Sequence, residues 1–508
     1  MRFAHVWSAQ PALLSASPIA VEVDIARGLH AFNVVGLPDK AVEESRDRVS
    51  AAIKHAGFEA PKTRNQKIVI SLAPADLKKE GPVFDIAIAL AYLHASEDIT
   101  IDTSDRLFVG ELALNGQVRA IAGVLPITRM AREHGFQEVY VPADNAAEAA
   151  LVDGITVYAV HHFSELLAHV TDSEHTLNAQ EVTAVEYNAS PATDTFSDIR
   201  GQESAKRGLE IAAAGGHNIA LTGPPGTGKT MLARAFTELL PPLTHEEMLE
   251  VTSIHSAAGN LSGPVVTDPP FRAPHHTASY VSLIGGGRSP VPGEATLAHR
   301  GVLFLDEFPE FDRRVIEALR QPLEERSVSI SRVHGHARFP AHFILIAAMN
   351  PCPCGNYGSE KICSCSPATL QRYQRKISGP IIDRIDMWIE VPRIAVEQLS
   401  DTHAGENTAL VRERIALARE RQHGRQVTDG SIKRNSELSG TELSQHAPLD
   451  EQSQQTLNAA AERLELSPRA YYRVQRLART IADLDDHGSV TEQHVLEALQ
   501  YRPRTDTV

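Results

Sequence analysis

The stretch Ile219–Thr230, IALTGPPGTGKT, constrains this chain more than any other. A short apolar run feeds a loop of the form G-x-x-x-x-G-K-T, and a helix opens directly after it. Gly223, Gly226 and Gly228 free the backbone to turn its N–H groups inward around a phosphate chain, with Pro224, Pro225 and Thr227 completing the loop. Lys229 brings a point charge to the β- and γ-phosphates, and the Thr230 hydroxyl is placed to ligate Mg²⁺. The new helix adds its positive end to the same place. Ala233, Phe236 and Leu240 can face a sheet, and Pro241-Pro242 stop the helix. The alternative is a chance glycine-rich turn, and the strand-to-helix setting argues against it. The expected ligands are ATP and Mg²⁺.

A second motif follows at Val302–Glu307, VLFLDE. An apolar run ending in two acids suits a buried parallel strand, whose carboxyl end is where α/β sheets place ligands. Asp306 is expected to hold the Mg²⁺ shell and Glu307 to polarise the attacking water. A third apolar run, Phe343–Met349, ends at Asn350 on the same rim, where an amide can sense the γ-phosphate; a turn-initiating asparagine before Pro351 is the plainer reading. Phosphoryl transfer also gains from an arginine that meets the developing charge, often from a neighbouring subunit. Arg384, in IIDRID, is the candidate, against a salt-bridged surface arginine. An arginine acting in trans requires an oligomer, and a ring is the closed head-to-tail form.

At 508 residues the chain exceeds one core, and two to four domains are expected. No apolar run approaches the ~20 residues of a membrane span, and the start does not read as a signal peptide, so a cytoplasmic protein with no membrane partner is expected. The net charge of −15 excludes a wholly basic nucleic-acid coat but not a local basic channel. The four cysteines, Cys352, Cys354, Cys363 and Cys365, cluster as C-x-C, eight residues, C-x-C. In a reducing compartment such a cluster suggests a closed, structural Zn²⁺ site rather than disulfides, although the one-residue gaps are shorter than usual. Free thiols are the alternative.

Residues 1–170 read as an α+β module. Asp39 is placed to cap a helix over 40–55, Lys67–Leu72 reads as a strand, and a second helix runs from Phe84 to about Leu93. The runs EGPVFDIAIALAYL and VGELALNGQVRAIAGVLPI resemble the proteolytic domain of Lon-type proteases. That family has a serine after the Gly-Pro pair and a lysine after the later glycine-rich turn. Here Val83 follows Gly81-Pro82, and Ala122–Leu125 holds no lysine, so a Lon-type fold without its Ser–Lys chemistry is expected. Residues 171–195 are polar and aperiodic, a linker.

The core is placed at 196–395. FSDIRGQ, at Phe196–Gln202, resembles the segment that packs beside adenine in AAA+ ATPases; Ile199 is either that contact or an ordinary core residue. Residues 251–300 read as a functional loop rich in Gly, Pro and His. His275-His276 lacks a third ligand and reads as polar loop more readily than as metal site. Ser327–Pro340 alternates and turns at His334-Gly335, a hairpin similar to the one that the chelatase and replicative-helicase clade of AAA+ proteins points into a ring pore, with Arg332, His334, His336 and Arg338 as contacts. Residues 396–508 read as a helical lid, with a helix from Thr408 and another capped by Ser467; Ser436–Gln454 reads as partly loop. Arg469 is the first choice to reach the γ-phosphate, Arg473 the second, and a solvated face is the alternative for both.

FRAPHHTAS, the strand ending in Asp306-Glu307, AAMNPCPCG and ARTIADL together resemble the ComM/YifB family, bacterial magnesium-chelatase-like AAA+ proteins linked to natural competence. The resemblance implies an α/β fold: an AAA+ P-loop ATPase core with a helical C-terminal lid, preceded by an α+β Lon-protease-like domain. It implies a homo-hexameric ATPase acting on single-stranded or branched DNA, as a helicase in branch migration during natural transformation and homologous recombination, beside other recombination proteins. Two other readings stay open. One is a magnesium-chelatase-type metal-insertion motor, and the other a regulatory ATPase whose first domain only binds.

Overall fold

The computed structural model describes residues 2–503 apart from 13, 172–175, 185–194, 262, 264, 288–290, 333–334, 359–360, 395–405 and 427–432. It falls into two compact units: Met1–Glu186 with Thr244–Thr267, and Tyr187–Leu243 with Asp268–Val508.

The first unit is built on a seven-stranded sheet. Its order is Ala31–Val35, Gln66–Ala73, Ala16–Arg27, Arg2–Pro11, Arg106–Phe108, Glu138–Pro142 and Thr156–Val160. Alternation sets one face: Ile19, Val21, Val23 and Ile25 are all buried. Helix Lys40–His55 starts where Asp39 accepts the Val42 N–H at 2.9 Å. Helix Asp85–Ala95 is buried almost all round, which explains its unbroken apolar run. Asp85 at its start is fully buried and is met by Ser45 Oγ, by Arg48 Nε at 2.6 Å and by the Leu112 N–H at 3.1 Å. Val83, which follows Gly81-Pro82, is buried in the core.

Two features of this unit depart from the linear reading. The expected linker is partly attached: Gln180 N donates to Val157 O at 2.8 Å, and Thr183 Oγ1 to Ala147 O at 2.6 Å. The edge strand Thr156–Val160 offers free backbone groups, and the polar segment satisfies them. More unexpectedly, helix His245–Ala257 belongs to this unit with the residues up to Thr267, whereas the chain before Thr244 and after Thr267 belongs to the second unit. Its Ser256 Oγ accepts the Gly123 N–H at 3.1 Å and donates to the buried carboxylate of Glu148 at 2.5 Å, which also takes the Leu125 N–H at 3.0 Å. The stretch read as one loop over 251–300 therefore divides between the two units at Thr267.

The second unit carries a parallel five-stranded sheet in the order Phe271–Arg272, Val302–Leu305, Ile344–Met349, Ile219–Thr222, Met387–Glu390. The three central strands are buried at every position, as a sheet covered on both faces requires. Ile199 is buried in this core, as is Phe196. Helices Thr408–Gln426, Pro468–Leu484 and Glu492–Gln500 bury Ile415, Leu477, Ile481 and Val495 in the same core. The stretch read as partly loop holds helix Gly440–His446, started by a capping box between Ser439 and Glu442, and the first turn of helix Glu451–Arg463. The hairpin forms as Ser327–Arg332 against Gly335–Pro340; of its expected contacts, Arg338 donates to Ser327 Oγ at 3.0 Å, whereas the side chains of Arg332, His334 and His336 lie outside the described residues.

Candidate active site

The carboxyl edge of the parallel sheet gathers the phosphate-loop residues with the two acids and Asn350. The loop leaves Thr222 and closes at Gly228, whose φ of +89° precedes helix Lys229–Leu239. Lys229 Nζ donates to Gly223 O at 2.7 Å, Pro224 O at 2.9 Å and Asn350 Oδ1 at 3.2 Å. Burial pushes its ammonium pKa down. Three neutral acceptors hold it in the loop, and a triphosphate would offer it formal negative charge instead. Thr230 Oγ1 donates to Asp306 Oδ2 at 2.8 Å, so the hydroxyl and carboxylate expected to share Mg²⁺ already meet.

Glu307 follows Asp306 but its carboxylate is held elsewhere: His276 Nδ1 lies 3.1 Å from Glu307 Oε2. The His276 ring also lies against that of His275, tilted by 34° with centroids 4.1 Å apart. The histidine pair belongs to a polar loop that meets the acid, and among the described residues no third metal ligand joins it. The sequence reading did not link His276 to Glu307; the order of the strands on which they end was the missing information.

The candidate arginines stand together in a different place. Arg384 and Arg469 both donate to Glu324 Oε1, Arg469 at 3.1 Å. They line a cavity of about 250 Å³ with Arg326, Arg473 and Arg476, and none of residues 223–230 lines it. Arg469 thus does not stand over the phosphate loop of its own chain in this conformation. Arg384 Nε is buried without a partner, leaving a donor unused. Arg473, the second choice, is buried and donates to Ile385 O at 2.8 Å, a strut that joins its helix to the turn before strand Met387–Glu390.

The cysteine cluster packs against the phosphate loop. Gly355, at φ +77°, lies so close to Pro225 that a Cβ would overlap the proline ring. Tyr373 OH, from helix Pro367–Gln374, donates to Asn350 O at 3.1 Å. The sulfurs of Cys352, Cys354 and Cys363 are 3.3, 3.6 and 3.8 Å apart, and all four Sγ atoms lie within 4.8 Å of one another. A tetrahedral zinc with bonds of about 2.3 Å spaces its sulfurs by about 3.8 Å, whereas a disulfide needs about 2.05 Å. The donor set fits Zn²⁺, and all four thiols are free. The Asn356 N–H, with Cys352 and the Ser364 N–H, pulls the Cys354 thiol down, while burial and hydrogen bonds to the neighbouring sulfurs push Cys363 and Cys365 up, so the cluster favours one thiolate among its four sulfurs.

The parallel order of the second unit's sheet, the glycine loop after Ile219–Thr222 and the acid pair after Val302–Leu305 define an AAA+ protein of the magnesium-chelatase type. Residues 195–399 match the family described as "Magnesium chelatase, subunit ChlI", residues 21–145 "Subunit ChlI of Mg-chelatase", and residues 405–502 "Magnesium chelatase, subunit ChlI C-terminal". The chain is 43% identical to the uncharacterized protein YifB of Escherichia coli, over 96% of this chain and 95% of that protein. It is 42% identical to the competence protein ComM of Haemophilus influenzae, over 99% and 98%. A shorter match, 30% identical over 166 residues, falls on Lon protease 2 of Bacillus subtilis and covers 30% of this chain and 29% of that one. The chain belongs to the ComM/YifB family of magnesium-chelatase-like AAA+ proteins. Among the described residues no helix is long and apolar enough to cross a membrane.

Proposed function

We propose that this protein is a Mg²⁺-dependent ATP hydrolase that assembles head to tail into a hexameric ring and uses ATP to move DNA, driving branch migration in natural transformation and homologous recombination. The observation that carries the reading is the rim itself: Lys229, the Thr230–Asp306 pair, Glu307 and Asn350 end neighbouring strands of one sheet. Lys229 and the loop amides bind and orient the triphosphate. ATP brings the phosphoryl group to be transferred, and Mg²⁺, held through Thr230 and Asp306, would neutralise charge on its oxygens. Glu307 orients and polarises the attacking water, and Asn350 senses the γ-phosphate.

Arg384 and Arg469, held away from their own loop, are suited to a neighbour's triphosphate. That assignment makes the hydrolytic site incomplete in one copy and accounts for the ring. Four cysteines hold one structural Zn²⁺ behind the phosphate loop. The hairpin Ser327–Pro340 supplies the DNA contact in the pore. The first unit is a Lon-type fold serving as a docking module. DNA as substrate draws its support from the similarity to a competence protein and from that hairpin. The cytoplasm is the expected place of action.

The test is ATP turnover of the purified protein with and without branched DNA. Stimulation by DNA is expected. Turnover that ignores DNA removes the DNA-motor reading in favour of a metal-insertion or regulatory ATPase.

A further inference from the structure

We propose that Asn218 is a positioning residue for Arg384. It ties the backbone that carries the arginine to the strand that leads into the phosphate loop, and so sets where one copy presents Arg384 to the triphosphate of the next. The inference rests on the reading of Arg384 as a group acting on a neighbour, and names the residue that holds it.

Asn218 stands at the head of strand Ile219–Thr222, at the end of the sheet opposite the phosphate loop. Each of its polar groups is used. Its N–H donates to Asp386 Oδ2 at 2.9 Å, and its carbonyl accepts the N–H groups of Asp386 and Met387 at 2.9 and 3.0 Å. Its side-chain Oδ1 accepts the Leu345 N–H at 2.8 Å, and its Nδ2 donates to Arg384 O at 3.1 Å. One residue reaches both sides because Ile219–Thr222 lies between Ile344–Met349 and Met387–Glu390 in the sheet. Asn218 thereby joins the strand that leads to the phosphate loop, the strand that leads to Asn350 and the turn that carries Arg384.

The place suits a primary amide. Leu345 N–H takes an acceptor there and Arg384 C=O takes a donor, and an amide offers both on one planar group. An aspartate would keep the first bond and lose the second; a serine is too short to span the two.

A second clamp comes from helix Pro468–Leu484, where Arg473 Nη1 donates to Ile385 O at 2.8 Å. The consecutive carbonyls of Arg384 and Ile385 are thus held from the phosphate-loop strand and from the helical part. Beyond this fixed backbone, Pro380 O and Glu324 direct the Arg384 guanidinium. A group that meets a reacting phosphate loses much of its effect when misplaced by about 1 Å, so the backbone from which it springs has to be fixed.

The test uses full-length Asn218→Ser and Asn218→Asp, with thermal melting as the check on folding. Phosphate release gives kcat and KM, and a fluorescent ATP analogue gives affinity. Both variants are expected to lose about tenfold in kcat, while KM and analogue affinity stay within about twofold, because the phosphate loop of the same chain is intact. Where Asn218→Ser unfolds, Asn218→Asp, which keeps the Leu345 bond, carries the comparison.

Mixing then decides which site Asn218 serves. A variant that misplaces Arg384 should exceed the average of the two components when mixed with Glu307→Gln, and should gain nothing from Arg384→Ala. A variant that damages its own phosphate loop pairs the other way, gaining with Arg384→Ala and not with Glu307→Gln. That reverse pairing, a loss of analogue affinity, or kcat within twofold of wild type overturns the proposal. Arg384→Ala mixed with Glu307→Gln is the control. Failure of that mixture overturns the reading of Arg384 itself, and is seen separately from any result on Asn218.

Discussion

Arg384 and Arg469 converge on a single carboxylate oxygen of Glu324. Arg326, Arg473 and Arg476 line the same cavity with Asp383 and Asp386, so its arginines outnumber its carboxylates. A triphosphate from a neighbouring copy would offset that excess of positive charge.

Arg384→Ala is therefore expected to cut turnover by about 10³-fold while leaving nucleotide binding intact. The informative measurement is a mixture. Arg384→Ala and Glu307→Gln proteins, each inactive alone, should regain activity when mixed, because some seams then pair an intact Glu307 with an intact Arg384. A mixture as inactive as its components would show that both groups act within one chain.

Glu307→Gln should bind ATP at wild-type affinity and lose about 10²- to 10⁴-fold in turnover, since the phosphate loop survives and water polarisation does not. Single-turnover phosphate release checks this. Hydrolysis at the normal rate would reassign the glutamate.

Metal removal should be felt at the nucleotide. Gly355 in the cysteine loop touches Pro225, and Tyr373 ties its following helix to Asn350. The protein is expected to carry one zinc per chain by elemental analysis. Stripping it, or Cys354→Ser, should weaken ATP binding by about tenfold, the effect of about 1.4 kcal/mol. A metal-free protein with unchanged affinity would leave the cluster a purely local brace.

Acid should loosen the second unit in a defined window. Glu437 faces His342 Nε2 at 2.9 Å and Arg326 at 2.8 Å. Burial works against the charge of Glu437, and His342, Arg326 and Arg434 outweigh it, holding the carboxyl at about 2. Burial drives His342 down to about 4. Both lie below their ordinary values, so on acidification the unfolded chain takes up protons first. The histidine contribution is present above its ordinary 6.5 and lost as pH falls toward 4; the glutamate contribution is present above 4.5 and lost toward 2. The first loss amounts to about 3 kcal/mol at most. Denaturant midpoints of a Trp7→Phe protein, read from Trp388, should fall between pH 6.5 and 4, and His342→Gln should flatten that part of the curve.

Salt reports on the pore. If about six subunits each neutralise about one phosphate of single-stranded DNA, log affinity should fall against log salt with a slope of roughly −4. Binding titrations at several salt concentrations give the slope directly, and a flat response would remove the pore contact.

Local chemistry was legible in the residues because it is written in short stretches. The phosphate loop, Asp39 and Ser467 as helix starts, the alternating hairpin and the clustered cysteines each depend on backbone demands or donor spacing within a few residues. They fold nearly as read because neighbours along the chain satisfy them. Tertiary structure alone decided which distant groups meet. It took helix His245–Ala257 into the first unit through Ser256 and Glu148, set Arg469 beside Arg384 instead of over its own phosphate loop, and turned Glu307 onto His276. Those outcomes follow from the order in which the strands and helices pack and, at Glu148, from the need of a buried charge for partners, and neither is fixed by any one segment of sequence.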